Sequence, residues 1–200
     1  ISNTKLILIA LNLEKAELFV EPDEAYNLVI SSDSANVQKS IYEQSPLNYE
    51  YSEEGGINSV IQEFNLEYNT FLLDNFNAIY RSRNNSLIDN FKAKSDSVYG
   101  DFHNDYFVSY RRYRIASLEL ATRRKKENVL LKEYFLNDEI LYDNIEYAYL
   151  FKEVFSNYLT SGDGGIDYSK LVEVINMSTN FKKLDELISS GNNLLSSDER

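Results

Sequence analysis

The densest set of side chains that could bind a ligand lies in residues 102–124, FHNDYFVSYRRYRIASLELATRR. Arginine forks recognise carboxylate and phosphate groups, and tyrosines combine an aromatic face with a polar end. Together they would suit an anionic or sugar-like ligand, or an acidic partner. We call these residues the Tyr/Arg cluster: Tyr110, Arg111, Arg112, Tyr113 and Arg114.

The same segment also fits a purely structural role. Tyr106, Tyr110 and Tyr113 recur at helical spacing, which is typical of a core-facing stripe whose hydroxyl groups reach the boundary. Glu119 and Arg123 have the i,i+4 spacing of a surface ion pair. The basic run at 123–126 suits the negative end of a helix dipole. The sequence leaves open whether the Tyr/Arg cluster is a site or only core and solvated face.

No metal, cofactor or catalytic group is predicted. His103 is the only histidine, and its neighbours Asp101 and Asp105 cannot form a metal site unless further ligands converge on it, so we predict a structural or surface role. Residues 160–170, TSGDGGIDYSK, are faintly similar to a calcium-binding loop. However, Leu159 and Lys170 would occupy ligand positions that require oxygen, so we predict a Gly-rich turn there. No pair of the many carboxylates can be placed across a cleft from sequence.

Composition excludes several classes of function. The chain has no cysteine, which excludes thiolate chemistry and disulfides within it. Its formal net charge is −12. Lys and Arg number three against ten acidic residues in 1–56, eleven against nine in 57–127, and six against thirteen in 128–200. Because no region has a strong basic excess, nucleic acid is not expected as a partner. No run approaches the ~20 apolar residues of a membrane span.

Hydrophobic periodicity predicts a mainly α protein, a helical bundle with a small N-terminal antiparallel β element of two or three strands. Predicted strands cover 5–11, 16–20 and 26–30, and a further extended piece covers 47–51. Predicted helices cover 57–80, 86–99, 102–124, 127–135, 145–159, 168–177 and 180–188. We expect a β element and acidic connector at 1–56, either complete or the end of a β domain that begins upstream. A helical domain at 57–188 and a polar tail or linker at 189–200 follow.

Two stretches carry a family resemblance. LFVEPDEAYNLVI at 18–30 resembles the strand–VEPG–strand element that closes the N-terminal β domain of bacterial envelope thioredoxin-like (thiol:disulfide interchange) proteins, with Asp23 where Gly is usual. FVSYRRYRIASLEL at 107–120 resembles the Tyr/Arg-rich helix of the helical region that follows, and NAIYRSRNNSLIDNF at 77–91 fits the same region. The resemblance spans roughly residues 5–188.

In that family a thioredoxin-like domain with a Cys-x-x-Cys motif usually follows the helical region. Because this chain has no cysteine, the resemblance assigns redox activity to none of its residues. It implies a fragment of a longer redox protein or a stand-alone relative, and it implies export to the periplasm or attachment to the cell envelope. The implied partners are a C-terminal thioredoxin-like domain or a protein client, and a second copy of the chain in a homodimer.

Three functions remain open at this stage. The first is a non-catalytic accessory region that spaces, dimerises or presents a client to a thioredoxin-like domain. The alternative is a ligand-binding module with a Tyr/Arg-lined surface for an anionic or sugar-like ligand. The third is a hydrolase built from carboxylates whose positions the sequence does not give.

Overall fold

The structure is a computed structural model that describes residues 3–11, 14–31, 45–46, 48–51, 56–136, 139–158, 168–177 and 181–190. Within these residues the chain is mainly helical, with a small antiparallel β element at its N-terminal end. The predicted fold class is therefore confirmed. None of the described helices is long and apolar enough to cross a membrane.

Among the described residues, the β element consists of five short strands in two sheets. β1 (Lys5–Leu11) and β2 (Glu14–Val20) form an antiparallel hairpin. β3 (Leu28–Ser31) does not extend this hairpin, although sequence proximity would favour it. The two-residue β4 (Ser45–Pro46) runs parallel to β2, and β5 (Asn48–Tyr51) pairs antiparallel with β3. The predicted strands are thus present, including the extended piece near 47–51, but they are divided between two sheets.

Seven α-helices lie among the described residues. They are α1 (Ile57–Phe76), α2 (Asn85–Tyr99), α3 (Asp105–Ala121), α4 (Glu127–Tyr134), α5 (Ile145–Tyr158), α6 (Tyr168–Met177) and α7 (Phe181–Ser190). The predicted helix 57–80 changes to a π-helical turn at Asn77–Arg81. The predicted central helix 102–124 begins later as α3, because the Asn104 side chain caps it by accepting a hydrogen bond from the Phe107 amide at 3.0 Å.

The central position of α3 is visible in the two hydrophobic clusters that it joins. Phe107 and Tyr110 belong to a cluster built mainly with α1 and α2, in which Phe64 has no exposed surface. Tyr113 and Ala116 belong to a second cluster built with α4 and α5. A helix with apolar residues on several sides needs neighbours on several sides, which is the arrangement found.

The hairpin is attached to the helices through the buried Asn58 side chain and the Phe19 ring. The Asn58 amide, in the first turn of α1, donates to the Phe19 carbonyl at 2.7 Å and accepts from the Phe19 amide at 2.8 Å. The Phe19 ring packs against Tyr106 and Tyr110 of α3. The hairpin therefore contacts both α1 and α3, the helices that position the candidate site.

Candidate functional site

The two tyrosines of the Tyr/Arg cluster are core residues. Tyr110 is 4% exposed, and its hydroxyl lies 2.9 Å from the amide nitrogen and 3.1 Å from the amide oxygen of Asn65. Burial raises the pKa of Tyr110 to about 12. Tyr113 is 1% exposed, and its hydroxyl donates to the Tyr134 carbonyl at 3.3 Å. Both rings contribute packing, and neither presents an open face.

Arg111 and Arg112 of the Tyr/Arg cluster contact groups on α2 and α4. Arg111 pairs with Asp96 at 3.0 Å and donates to the Ser95 hydroxyl at 3.2 Å, both on α2. Arg112 lies 4.9 Å above the centre of the Tyr134 ring and donates to the Glu133 carbonyl at 3.0 Å, near the end of α4. These side chains extend from α3 in different directions, so the structure does not gather the Tyr/Arg cluster on one surface.

Arg114 has a different environment from the other two arginines. Its Nη1 donates to Glu146 Oε1 at 2.7 Å, and its guanidinium lies 4.9 Å from the centre of the Tyr68 ring. The Glu146 side chain is only 4% exposed, whereas that of Arg114 is 29% exposed. Burial raises the pKa of Glu146, and the positive charge of Arg114 opposes that rise. The pair joins α3 to α5 and is buried on the carboxylate side only.

An open groove of about 510 Å³ lies over this ion pair, between α1, α3 and α5. Each of the three helices contributes to its walls. The lining residues are Tyr68, Asn69 and Leu72 from α1, Arg114 and Ser117 from α3, and Glu146, Tyr149, Lys152, Glu153 and Ser156 from α5. Its volume falls in the range of roughly 300–1,000 Å³ that is usual for small-ligand pockets.

Two polar atoms beside this groove have no hydrogen-bond partner among the residues that the structure describes. They are Arg114 Nε and Ser117 Oγ, which are buried and one helical turn apart on α3. A buried polar atom left unpaired costs roughly 1–3 kcal/mol. The groove therefore combines an oriented guanidinium, a buried carboxylate and unused hydrogen-bonding capacity. This arrangement can bind a polar ligand, and we take it as the candidate site.

Arg124 and Lys125, in the basic run after α3, form ion pairs with carboxylates of the same chain. Lys125 Nζ lies 2.9 Å from Glu119 Oε2 and also pairs with Glu133. Arg124 pairs with Asp89 at 2.6 Å and lies 3.6 Å from Glu119. The expected pairing of Glu119 with Arg123 is replaced by these contacts. α3 ends at Ala121 and Arg123 adopts a positive φ of 56°, so the next two residues turn back toward the carboxylate.

The other predicted candidates lie elsewhere. His103 and Asp105 line a separate cleft of about 610 Å³ beside Glu21 and Asp143. No group of three or more potential ligands that could hold a metal ion occurs in the described part of the chain. Of the Gly-rich segment 160–170, only Tyr168, Ser169 and Lys170 are described, at the start of α6. The predicted turn itself lies outside the described residues.

Sequence reasoning did not find the residues that distinguish the groove. Glu146 follows Arg114 by 32 residues, and its only signal is an acidic residue in the first turn of a predicted helix. Ser117 and Tyr149 gave no signal that separates them from ordinary helix residues. Of the residues in the predicted Tyr/Arg cluster, Arg114 is the one that lines the groove.

No protein-family model, curated protein or solved structure was found to match this chain.

Proposed function

We propose that this chain is a non-catalytic accessory region of a bacterial envelope thioredoxin-like protein. In this role it would space or dimerise the parent protein, or present a client to its redox domain. The observation that carries the proposal is that the α3 side chains that could bind a ligand contact the rest of the fold instead. Tyr110 and Tyr113 are buried in the two hydrophobic clusters, and Arg111 and Arg112 contact α2 and α4. The family resemblance of residues 18–30 and 107–120 supplies the context.

The parent protein can be tested for by measuring the intact mass of the native polypeptide from its source. We expect a species that extends well beyond Arg200 and includes a Cys-x-x-Cys motif. A native species that ends near Arg200 would contradict the accessory role. Fractionation of the same cells should place the polypeptide in the periplasm or with the cell envelope, and recovery with cytoplasmic markers would contradict the proposed location.

The accessory role itself predicts a selective defect. Deleting the helical region from the parent protein should leave reduction of a small disulfide reagent unchanged, because the redox chemistry would reside in the other domain. Reduction of a folded protein disulfide should fall, because presentation or spacing would be lost. Equal rates on both substrates with and without the region would refute a client-presenting role.

The groove over Arg114 and Glu146 favours a second candidate function, a ligand-binding module. Arg111 provides a matched control, since both arginines project from α3 and pair with a carboxylate but only Arg114 lines the groove. Thermal-shift measurements against small anions and neutral saccharides would compare Arg114→Glu with Arg111→Glu. Loss of a ligand-induced shift only in folded Arg114→Glu would support the module, and equal shifts in both variants would count against it.

A further inference from the structure

The second proposed function, a ligand-binding module, leaves the chemical class of the ligand open. The charges that line the groove reduce the choice between an anionic and a neutral ligand. Arg114 and Lys152 line the groove together with Glu146 and Glu153, so the two cations are balanced by two carboxylates. The best-placed cation, Arg114, already donates to Glu146 at 2.7 Å. An incoming phosphate or carboxylate would meet no net positive charge and would approach a buried carboxylate. The groove is therefore poorly suited to an anion.

The hydrogen-bonding capacity of the groove favours groups that can both donate and accept. Arg114 Nε can only donate, Glu146 as a carboxylate can only accept, and the Ser117 hydroxyl can do both. Within the described part of the chain, neither the nitrogen nor the hydroxyl oxygen has a hydrogen-bond partner. Hydroxyl groups of a polyol satisfy such a mixed set, whereas an ion or a purely apolar ligand would satisfy only part of it.

One aromatic ring beside this polar floor remains open. Tyr149, in the second turn of α5, is 49% exposed, while the other groove tyrosine, Tyr68, is buried beneath the Arg114 guanidinium. Sugar rings carry an apolar C–H face opposite or beside their hydroxyl groups, and such a face packs on an exposed aromatic ring. A floor of hydrogen-bonding groups and a wall with one open ring match these two faces.

We propose that the groove between α1, α3 and α5 binds a neutral saccharide, with Tyr149 stacking on the sugar ring and Arg114, Ser117 and Glu146 binding its hydroxyl groups. This inference rests on the second proposed function, a ligand-binding module, and it excludes the anionic ligand that the sequence left open. The groove volume of about 510 Å³ can accommodate a mono- or disaccharide.

The test is a titration of the ¹⁵N-labelled chain, followed by backbone amide chemical shifts. The neutral probes are glucose, galactose, N-acetylglucosamine, maltose and cellobiose, and the matched anionic probes are glucuronate and inorganic phosphate. We expect at least one neutral saccharide to produce saturable shifts around Ser117 and Tyr149, and the anions to bind there more weakly.

A pair of tyrosine variants checks the stacking contact. Tyr149→Ala should weaken the affinity about tenfold, which corresponds to the loss of one modest contact. Tyr142→Ala is the control, because Tyr142 is 79% exposed and lies outside the groove. Circular dichroism would verify that both variants are folded. An unchanged affinity in folded Tyr149→Ala would overturn the proposed stacking and with it the inference.

The remaining outcomes separate this inference from the proposal on which it rests. Preferential binding of glucuronate or phosphate at Ser117 and Tyr149 would overturn the saccharide inference and leave the ligand-binding module intact. The absence of saturable shifts in the groove with every probe would overturn both. Neither result bears on the accessory role, which depends on the parent protein.

Discussion

Two buried carboxylates beside α3 differ in how the fold neutralises them. Glu119 is 2% exposed and contacts two cations, Arg124 and Lys125, from the turn that immediately follows its own helix. Glu146 is 4% exposed and contacts one cation, Arg114, from a helix distant in sequence. The first network closes a turn. The second lies on the floor of an open groove.

The comparison shows that burial alone does not separate the two carboxylates, which are 2% and 4% exposed. Lys125 spans Glu119 and Glu133 and lies 5.7 Å from the centre of the Tyr134 ring, so the turn network is held from several directions. At the groove, Glu146 pairs with one cation, Arg114, whose Nε has no hydrogen-bond partner in the described segments. The number of cations around each carboxylate, two at Glu119 and one at Glu146, therefore distinguishes the turn side of α3 from the groove side.

The largest effect should come from Tyr110 and Tyr113, which α3 contributes to the two hydrophobic clusters. Tyr110→Ala and Tyr113→Ala should each lower the free energy of unfolding by at least about 3 kcal/mol, because each removes a buried ring from a hydrophobic cluster. Urea denaturation would measure both, with the exposed Tyr142→Ala as control. An unchanged urea midpoint for either variant would show that the replaced tyrosine is not part of the core.

Glu119→Gln should destabilise the protein by about 3 kcal/mol, since it leaves Arg124 and Lys125 without their shared carboxylate. We place the loss at the lower end of the range for broken buried ion pairs because both cations are 21% exposed. Thermal and urea denaturation would measure it. A cost below that of Glu146→Gln would reverse the comparison between the two carboxylates.

Alkaline pH should destabilise the cluster that contains Tyr110. The pKa of Tyr110 is raised from 10 to about 12, so the folded state retains a proton that the unfolded state releases. Stability is therefore full below pH 10 and falls as the pH rises toward 12, by about 3 kcal/mol for this residue alone at roughly 1.4 kcal/mol per pKa unit. Tyr110→Phe should show a smaller fall in stability between pH 9 and 12 than the unmodified chain. Identical slopes would exclude Tyr110 as a contributor.

The smallest effect is expected for Glu146→Gln, with a loss of about 1 kcal/mol at neutral pH. The variant loses the charge of a pair but also removes the cost of burying a carboxylate. Because the pKa of Glu146 is raised above its usual 4.5, its contribution to stability declines as the pH rises above 4.5 through the folded-state value. Glu146→Gln should lack that decline. A variant with an unaltered pH profile would argue against the raised pKa.

Local features of the sequence predicted most of the fold. The periodicity at 168–177 gave the bounds of α6 without error, and the central placement of α3 followed from apolar residues on several of its sides. The pairing of β3 with β5 could not be predicted from local sequence patterns, because contacts between residues distant in sequence decide which strands pair. The π-helical turn at Asn77–Arg81 was missed because one extra residue in a turn barely disturbs a periodic pattern.

The candidate site was only partly predictable for the same reason. Arg114 was recognised by residue type, but its neighbours Arg111 and Arg112 looked equivalent until their partners on α2 and α4 were known. Glu146 and Tyr149 come from α5, and only the packing of α5 on α3 places them beside Arg114. Residue types indicate which groups can do chemistry, and tertiary contacts decide which of them remain free to do it.

The double hydrogen bond between Asn58 and Phe19 has a consequence for association between molecules. β4 covers one end of the outer edge of β2 at Glu14 and Lys15, and the Asn58 amide occupies the backbone groups of Phe19 toward the other end. The first turn of α1 thus takes the place of a neighbouring strand at Phe19. A strand from another molecule would have to displace it to pair at Phe19, so the helix protects this edge against edge-to-edge aggregation.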